Sequence, residues 1–183
     1  LPEKLPGDPA KVEEAARALA AAKRPVIIAG NGVRISQAYD QLAALAAQLG
    51  APVATTASGK GVIAETSKWA LGTCGNFGQG TANAYVGSAD LVLAVGTRLG
   101  PADTTQENPD LIDPLRQTIV QIDIEPKNAS WTFPCDTVVV GDAGLVLQQL
   151  SDILDAPSSE TIAARKKALD YMRTEHAFFT HPA

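Results

Sequence analysis

The run Ala89-Asp90-Leu91-Val92-Leu93-Ala94-Val95 breaks on Gly96-Thr97-Arg98. A short apolar run without polar alternation suits a strand covered on both faces, as in a parallel sheet between two layers of helices. The Gly96-Thr97-Arg98 that follows falls at the carboxyl end of that strand, where open α/β sheets present their ligand crevice. Other strand-like runs end in similarly small or polar residues: Gly30-Asn31-Gly32, Thr55-Thr56, Asp123 and Gly141-Asp142. Together they predict one edge built to receive a nucleotide or to face another domain.

A chain of 183 residues fits one domain with a terminal extension. Aromatics make up only 5% while alanine, valine and leucine dominate, which suits close approach of helices to a sheet. The net charge of −5 gives no electrostatic case for nucleic acid or an anionic membrane. No stretch approaches the ~18–20 apolar residues of a membrane span, and nothing is laid out as a secretory signal. Cys74 and Cys135 stand far apart with no CxxC or Cys/His cluster, so free thiols in a reducing cytoplasm are expected and zinc is not. His176 and His181 fall close to the carboxyl terminus and read as a frayed tail. A start at Leu1-Pro2-Glu3 and a stop at His181-Pro182-Ala183 predict a piece of a longer polypeptide.

Residues 1–7 read as an extended segment, and Asp8-Pro9 as an N-cap followed by proline at the first helical position. Residues 10–23 place Val12, Ala15, Ala16, Leu19 and Ala22 on one helical face. Residues 25–30 read as a first buried strand. Ser36 is expected to cap a second helix with Ala38, Leu42, Leu45, Ala46 and Leu49 on its inner face and Gly50 closing it. A strand over 52–56 follows, then a glycine-rich irregular stretch with short helices around 64–68 and 81–86. Strands are expected at 90–95, 118–124 and 137–140. Asp142 caps a helix over 143–154 whose apolar face uses Leu145, Val146, Leu150 and Ile153. After a linker at Pro157-Ser158-Ser159, residues 160–175 form a charged helix with Ile162, Leu169 and Met172, outside the core. The alternation of strands and helices predicts an α/β fold with right-handed crossovers.

The glycine motifs are incomplete. Gly30-Asn31-Gly32 lacks the third glycine of a dinucleotide fingerprint, which falls on Ile35, and no acidic residue follows the second strand, so an ordinary NAD dehydrogenase is disfavoured. Gly59-Lys60-Gly61 is not a phosphate loop: Ala54 stands at the first glycine and Gly61 at the magnesium-binding hydroxyl, leaving a turn with a solvated lysine. Arg98 offers either a fork of donors for phosphate or a salt-bridged surface arginine. Asp123 is placed to accept from a ribose or adenine group, and Asp142 caps its helix or joins that site. No carboxylate pair, Ser–His arrangement or metal cluster stands out, so no catalytic residue and no metal ligand is assigned.

Read in order, the phrases form a set: Pro25-Val26-Ile27-Ile28-Ala29-Gly30-Asn31-Gly32, Gly50-Ala51-Pro52-Val53-Ala54-Thr55-Thr56, Gly59-Lys60-Gly61, Leu71-Gly72-Thr73-Cys74-Gly75, Ala89-Asp90 through Gly96-Thr97-Arg98, Ile122-Asp123-Ile124-Glu125-Pro126 and Gly141-Asp142-Ala143. Over residues 8–155 the chain resembles the central domain of thiamine-diphosphate-dependent enzymes of the acetolactate synthase and pyruvate oxidase type. The resemblance implies a six-stranded parallel sheet with helices on both faces, Rossmann-like, of the DHS-like NAD/FAD-binding type. It implies a scaffold between pyrimidine-binding and pyrophosphate-binding domains, with residues 156–183 leading toward a further domain. The parent would be a cytoplasmic lyase or transferase, a dimer or tetramer. It would use thiamine diphosphate and magnesium, bound outside this chain, to make or break C–C bonds beside a carbonyl, on 2-oxo acids. This chain by itself would not be catalytic.

Within this chain the resemblance assigns cofactor-binding positions to Gly30, Asn31, Gly32, Thr56, Gly72, Gly75, Gly96, Arg98, Asp123, Asp142 and Ala143, with FAD, ADP or nothing as occupant. Leu99-Gly100-Pro101-Ala102-Asp103 stands where flavin-binding synthases carry a second arginine, and Phe77 where they often carry a histidine, which weighs against FAD. A second reading, from a different class, is a free-standing FAD-, NAD- or ADP-binding domain of an electron-transfer or deacylase type.

Overall fold

The apolar runs sit where two-sided burial requires. A computed structural model describes residues 3–176 and places six strands in one parallel sheet. They are β1 (Pro25–Ala29), β2 (Val53–Thr55), β3 (Ala70–Thr73), β4 (Leu91–Val95), β5 (Thr118–Asp123) and β6 (Thr137–Val140). The order is β3-β2-β1-β4-β5-β6. Ile27, Ile28 and Ala29 in β1 and Val92 to Val95 in β4 are wholly buried, as expected for the two central strands.

Among the described residues six α-helices accompany the sheet: α1 (Pro9–Ala21), α2 (Asn31–Ser36), α3 (Tyr39–Leu49), α4 (Gly80–Ser88), α5 (Ala143–Ile153) and α6 (Ser159–Glu175). The chain moves outward from β1 to β3, then crosses back to β4. Right-handed crossovers in opposite directions put their helices on opposite faces. Accordingly α1, α3 and α5 pack together in one layer, and α4 packs with α6 in the other.

Local chemistry sets the helix ends. Asp8 Oδ1 accepts the Lys11 N–H at 3.1 Å ahead of Pro9, and Asp142 Oδ1 accepts from Gly144 and Leu145 at 3.1 and 3.2 Å. Gly50, at φ +61, ends α3 in the left-handed conformation; a Cβ there would lie 3.3 Å from the Ile162 backbone of α6.

Several expectations are corrected. Strand β3 lies inside the stretch read as irregular; it is four residues long and interrupted by Gly72 at φ +85, too short for a periodic signal. Residues 64–68 form turns, because Ser67 accepts the Trp69 N–H at 3.3 Å on its own hydroxyl, an alternative to helical bonding. Ser36 does not cap α3: it ends α2, and the chain turns through Gln37 at φ 60 before α3 begins. On α5 the buried face uses Val146, Leu147 and Leu150, whereas Leu145 and Ile153 are exposed. The final helix is not outside the core, since Leu169 is fully buried in it. His176 is the last described residue, and His181 lies outside the described residues.

Arg165 explains how so charged a helix docks. Its buried guanidinium donates to the carbonyls of Ala22 and Leu49, at the ends of α1 and α3, and to Lys23 O at 3.3 Å. A cation at two helix carboxyl ends satisfies orphan carbonyls and complements both dipoles. Arg173 extends the clamp, donating to Ser67 O at 3.0 Å and Ala70 O at 2.6 Å. Replacing Arg165 by methionine is expected to lower unfolding free energy by about 2–3 kcal/mol, the range for charge-assisted bonds lost in a buried setting. A urea titration in which Arg165→Met matches the parent chain would refute the clamp.

Candidate functional site

The strand order reverses between β1 and β4, and a crevice opens at the carboxyl ends of the strands at this reversal. Its volume is about 540 Å³, in the size range of small-molecule pockets. Asn31 and Gly32 line it from the start of α2, Gly96 and Arg98 from the end of β4, Asp123 from the end of β5, and Asp142 and Ala143 from the start of α5. Gly30 lies directly behind, its N–H bonded to Val95 O at 2.9 Å.

Thr56, Gly72 and Gly75 are not among its walls. Thr56 is buried beneath the turn after β2, its hydroxyl accepting the Gly59 N–H at 3.0 Å. Gly72 is held inside β3. Gly75 is tied to Asn83 by bonds of 2.9 and 3.1 Å, and a Cβ on it would meet Ala102 O at 2.4 Å. Lys4, Ser58, Asp103, Glu125 and Asn128 also line the crevice and were not singled out by sequence. Lys4 arrives from a segment whose only signal was its prolines, donating to Ser36 O at 2.6 Å.

The glycines at the reversal have a backbone reason. A Cβ on Gly30 would lie 2.4 Å from Gly96 O, and one on Gly32 2.6 Å from Gly96 Cα. Gly96 itself is at φ +60, and the Gly32 N–H donates to Gly96 O at 3.0 Å. The three are packed against one another, so their absent side chains let two loops cross at contact distance.

The polar groups fall into three sets. Asp142 Oδ1 takes the helix-cap bonds and the Ser36 hydroxyl at 2.8 Å, while Ser36 Oγ accepts the Gly144 N–H at 3.0 Å; Ser36 therefore helps cap α5 rather than α3. Asp123, 8% exposed, accepts on Oδ1 from Glu125 N at 2.9 Å and Asn128 Nδ2 at 3.2 Å. Its other oxygen has no hydrogen-bond partner among the described residues, which leaves an acceptor on the crevice wall. At the rim, the exposed Arg98 guanidinium lies over the Trp131 ring, 4.6 Å from its centroid, and makes no salt bridge with a described residue. Burial pushes the Asp103 carboxyl up, against the Ala57 N–H and the Arg98 charge that favour its ionised form. Lys60, expected to be solvated, is paired with Glu65.

One amide joins two of the loops that line the crevice, those after β4 and β5. Gln121, buried in β5, donates to Thr97 O at 3.2 Å and Asn128 O at 2.9 Å, and accepts the Ser130 N–H at 2.9 Å.

Neither thiol is activated. Burial pushes Cys74 up to about 12 and also raises half-buried Cys135. Among the described residues no group of three or more His, Cys, Asp or Glu side chains converges as a metal site. No described helix is long and apolar enough to cross a membrane.

Comparison with known proteins places this geometry. Residues 12–150 match the thiamine pyrophosphate enzyme central domain. A "Probable acetolactate synthase large subunit" of Methanococcus aeolicus is 35% identical over 149 residues, covering 81% of this chain and 24% of that protein. Sulfoacetaldehyde acetyltransferase of Castellaniella defragrans is 35% identical over 158 residues, 85% of this chain and 26% of that protein. The crystal structure of benzoylformate decarboxylase from Polynucleobacter necessarius superposes with a TM-score of 0.68 at 22% identity, covering 86% of this chain and 29% of that one, a likeness of fold. The chain thus spans about a quarter of the length of the curated relatives it matches. None of these matches supports the free-standing electron-transfer or deacylase reading.

Two outcomes follow from the polar groups. Ser36→Ala leaves Gly144 and Asp142 each short of one partner and is expected to cost about 1–2 kcal/mol in denaturant unfolding, with Ser36→Thr recovering part of it. For Asp103 the folded pKa is raised, so its contribution is most favourable below the unfolded carboxyl pKa and is lost as pH rises through the folded one. Asp103→Asn should therefore raise the urea midpoint at pH 7 and leave it unchanged near pH 3; a lower midpoint at pH 7 would contradict this sign.

Proposed function

The chain belongs to the thiamine pyrophosphate enzyme central-domain family, and on that premise we propose that it is the non-catalytic middle scaffold of a longer thiamine-diphosphate-dependent enzyme. The parent makes or breaks C–C bonds beside a carbonyl, with 2-oxo acids as the substrate class. The observation that carries this reading is the family match over residues 12–150, combined with relatives about four times longer that include a probable synthase and an acetyltransferase. Where different reactions share one segment, that segment holds the common framework and the reacting groups come from elsewhere.

Thiamine diphosphate, when bound in the parent, supplies the electron sink for such chemistry. The cofactor and its magnesium are assigned to the pyrimidine-binding and pyrophosphate-binding domains, and this chain's residues position those domains. A cytoplasmic setting accords with two free thiols, and a dimer or tetramer with the family.

The crevice at the strand reversal is read as an adenine-nucleotide site. Its volume suits such a ligand, Arg98 offers donors to a phosphate, and Asp123 offers an acceptor to a ribose or adenine group. ADP accords with this donor set better than FAD, because Leu99-Gly100-Pro101-Ala102-Asp103 supplies no second arginine. Asn31, Gly32, Gly96, Asp142 and Ala143 complete the walls, while Gly30, Thr56, Gly72 and Gly75 would support them from behind.

The test separates scaffold from catalyst. With thiamine diphosphate and magnesium added, the 183-residue chain is expected to leave pyruvate unchanged, whereas the longer protein that contains it turns over a 2-oxo acid. Pyruvate consumption by the chain alone would end the scaffold reading. Calorimetric titration with ADP is expected to saturate at one site per chain, and Asp123→Ala to weaken it; absence of heat at millimolar ADP would end the nucleotide reading alone.

A further inference from the structure

Arg98 differs from the other cations near the crevice in having its donors uncommitted. Lys4 donates to Ser36 O at 2.6 Å. Arg34 is engaged with Asn31 Oδ1 at 3.3 Å, Ser58 O at 3.0 Å and the Lys60 carbonyl. The Arg98 guanidinium makes no hydrogen bond or ion pair with another described residue; it lies over the Trp131 ring at 4.6 Å, and the Asp103 carboxyl is near enough to feel its charge. Stacking over an aromatic face leaves the in-plane N–H groups of a guanidinium available for a further ligand.

Trp131 has no core role that would account for it. It is 53% exposed, in contrast to Trp69 at 3%. Yet its backbone is fixed on three sides. The Trp131 N–H donates to Asn128 O at 3.2 Å, the neighbouring Ser130 N–H donates to Gln121 Oε1 at 2.9 Å, and the Thr132 hydroxyl donates to Arg98 O at 2.8 Å. Ser130 is held at φ +52, a left-handed conformation that is uncommon outside glycine and persists where surrounding contacts enforce it. A large exposed indole on so constrained a loop, tied to the backbone of the arginine it covers, is an arrangement for holding that arginine.

We propose that Trp131 is a positioning residue of the crevice, its indole face keeping the Arg98 guanidinium at the rim for the anionic group of the ligand. An arginine without such a support must surrender more side-chain freedom when it captures an anion. The inference rests on the nucleotide reading only for the identity of that anion. Removal of the ring is expected to weaken anion capture roughly three- to tenfold, the scale of a cation–π contact at an exposed site or somewhat above.

The experiment has an arm without ligand and an arm with three probes. In NMR spectra of the chain, the Arg98 side-chain Nε–H resonance is expected to show an upfield ring-current shift and restricted motion. Trp131→Leu should return it to the position and mobility of a free arginine, and Trp131→Phe should retain part of the shift. By calorimetry, Trp131→Leu is expected to weaken ADP and inorganic pyrophosphate by the stated factor and to leave adenosine unaffected, with Trp131→Phe restoring most of the loss. Equal weakening of adenosine would assign Trp131 a merely structural role and overturn the proposal. So would an Arg98 signal as mobile in the parent chain as in Trp131→Leu, or failure of the parent chain to bind both ADP and pyrophosphate. If pyrophosphate binds in a Trp131-dependent way and ADP does not, the nucleotide reading falls and the positioning role stands.

Discussion

Contact between two backbones at the sheet's reversal governs this fold. The loop leaving β1 and the loop leaving β4 pass so closely that Gly30, Gly32 and Gly96 each exclude a Cβ from the same small volume. That crossing brings the first residues of α2 to the crevice and fixes where Arg98 emerges from β4. A side chain at any of the three would press on backbone, which cannot rotate away as a flexible side chain can. The glycines are thus accounted for by the fold before any ligand is considered, and the crevice is a by-product of the same geometry.

Much of this was legible in the residues because the signals were local. Two-sided burial shows in unbroken apolar runs, so β1 and β4 were found; caps show in single side chains, so Asp8 and Asp142 were found. The six-strand count came from family resemblance, since β3 carries no periodic signal and has a glycine at positive φ within it. Ser36 illustrates a different failure. Serine before a helical stripe is a cap signal, but its hydroxyl acts across 108 positions of sequence on Gly144, and no local rule carries that information.

The candidate site divides along the same line. Residues at strand ends, such as Gly96, Arg98, Asp123 and Asp142, could be assigned to one edge because a parallel sheet gathers its carboxyl ends there. Lys4, Asp103 and Asn128 reach the crevice through long-range packing and left no comparable mark. Thr56, Gly72 and Gly75 share the small-residue character of the wall residues, yet that character serves turns and close approaches behind it. Small residues at strand ends therefore identify the edge of the sheet and not which of them a ligand would touch.

The Gln121 amide gives the crevice a mechanical property. Because one side chain on β5 bonds both the loop after β4 and the loop after β5, neither loop can be displaced without straining the other. The two banks respond as a unit, like jaws on a shared hinge pin. A load applied to either bank is therefore carried by both, and the spacing between them is preserved.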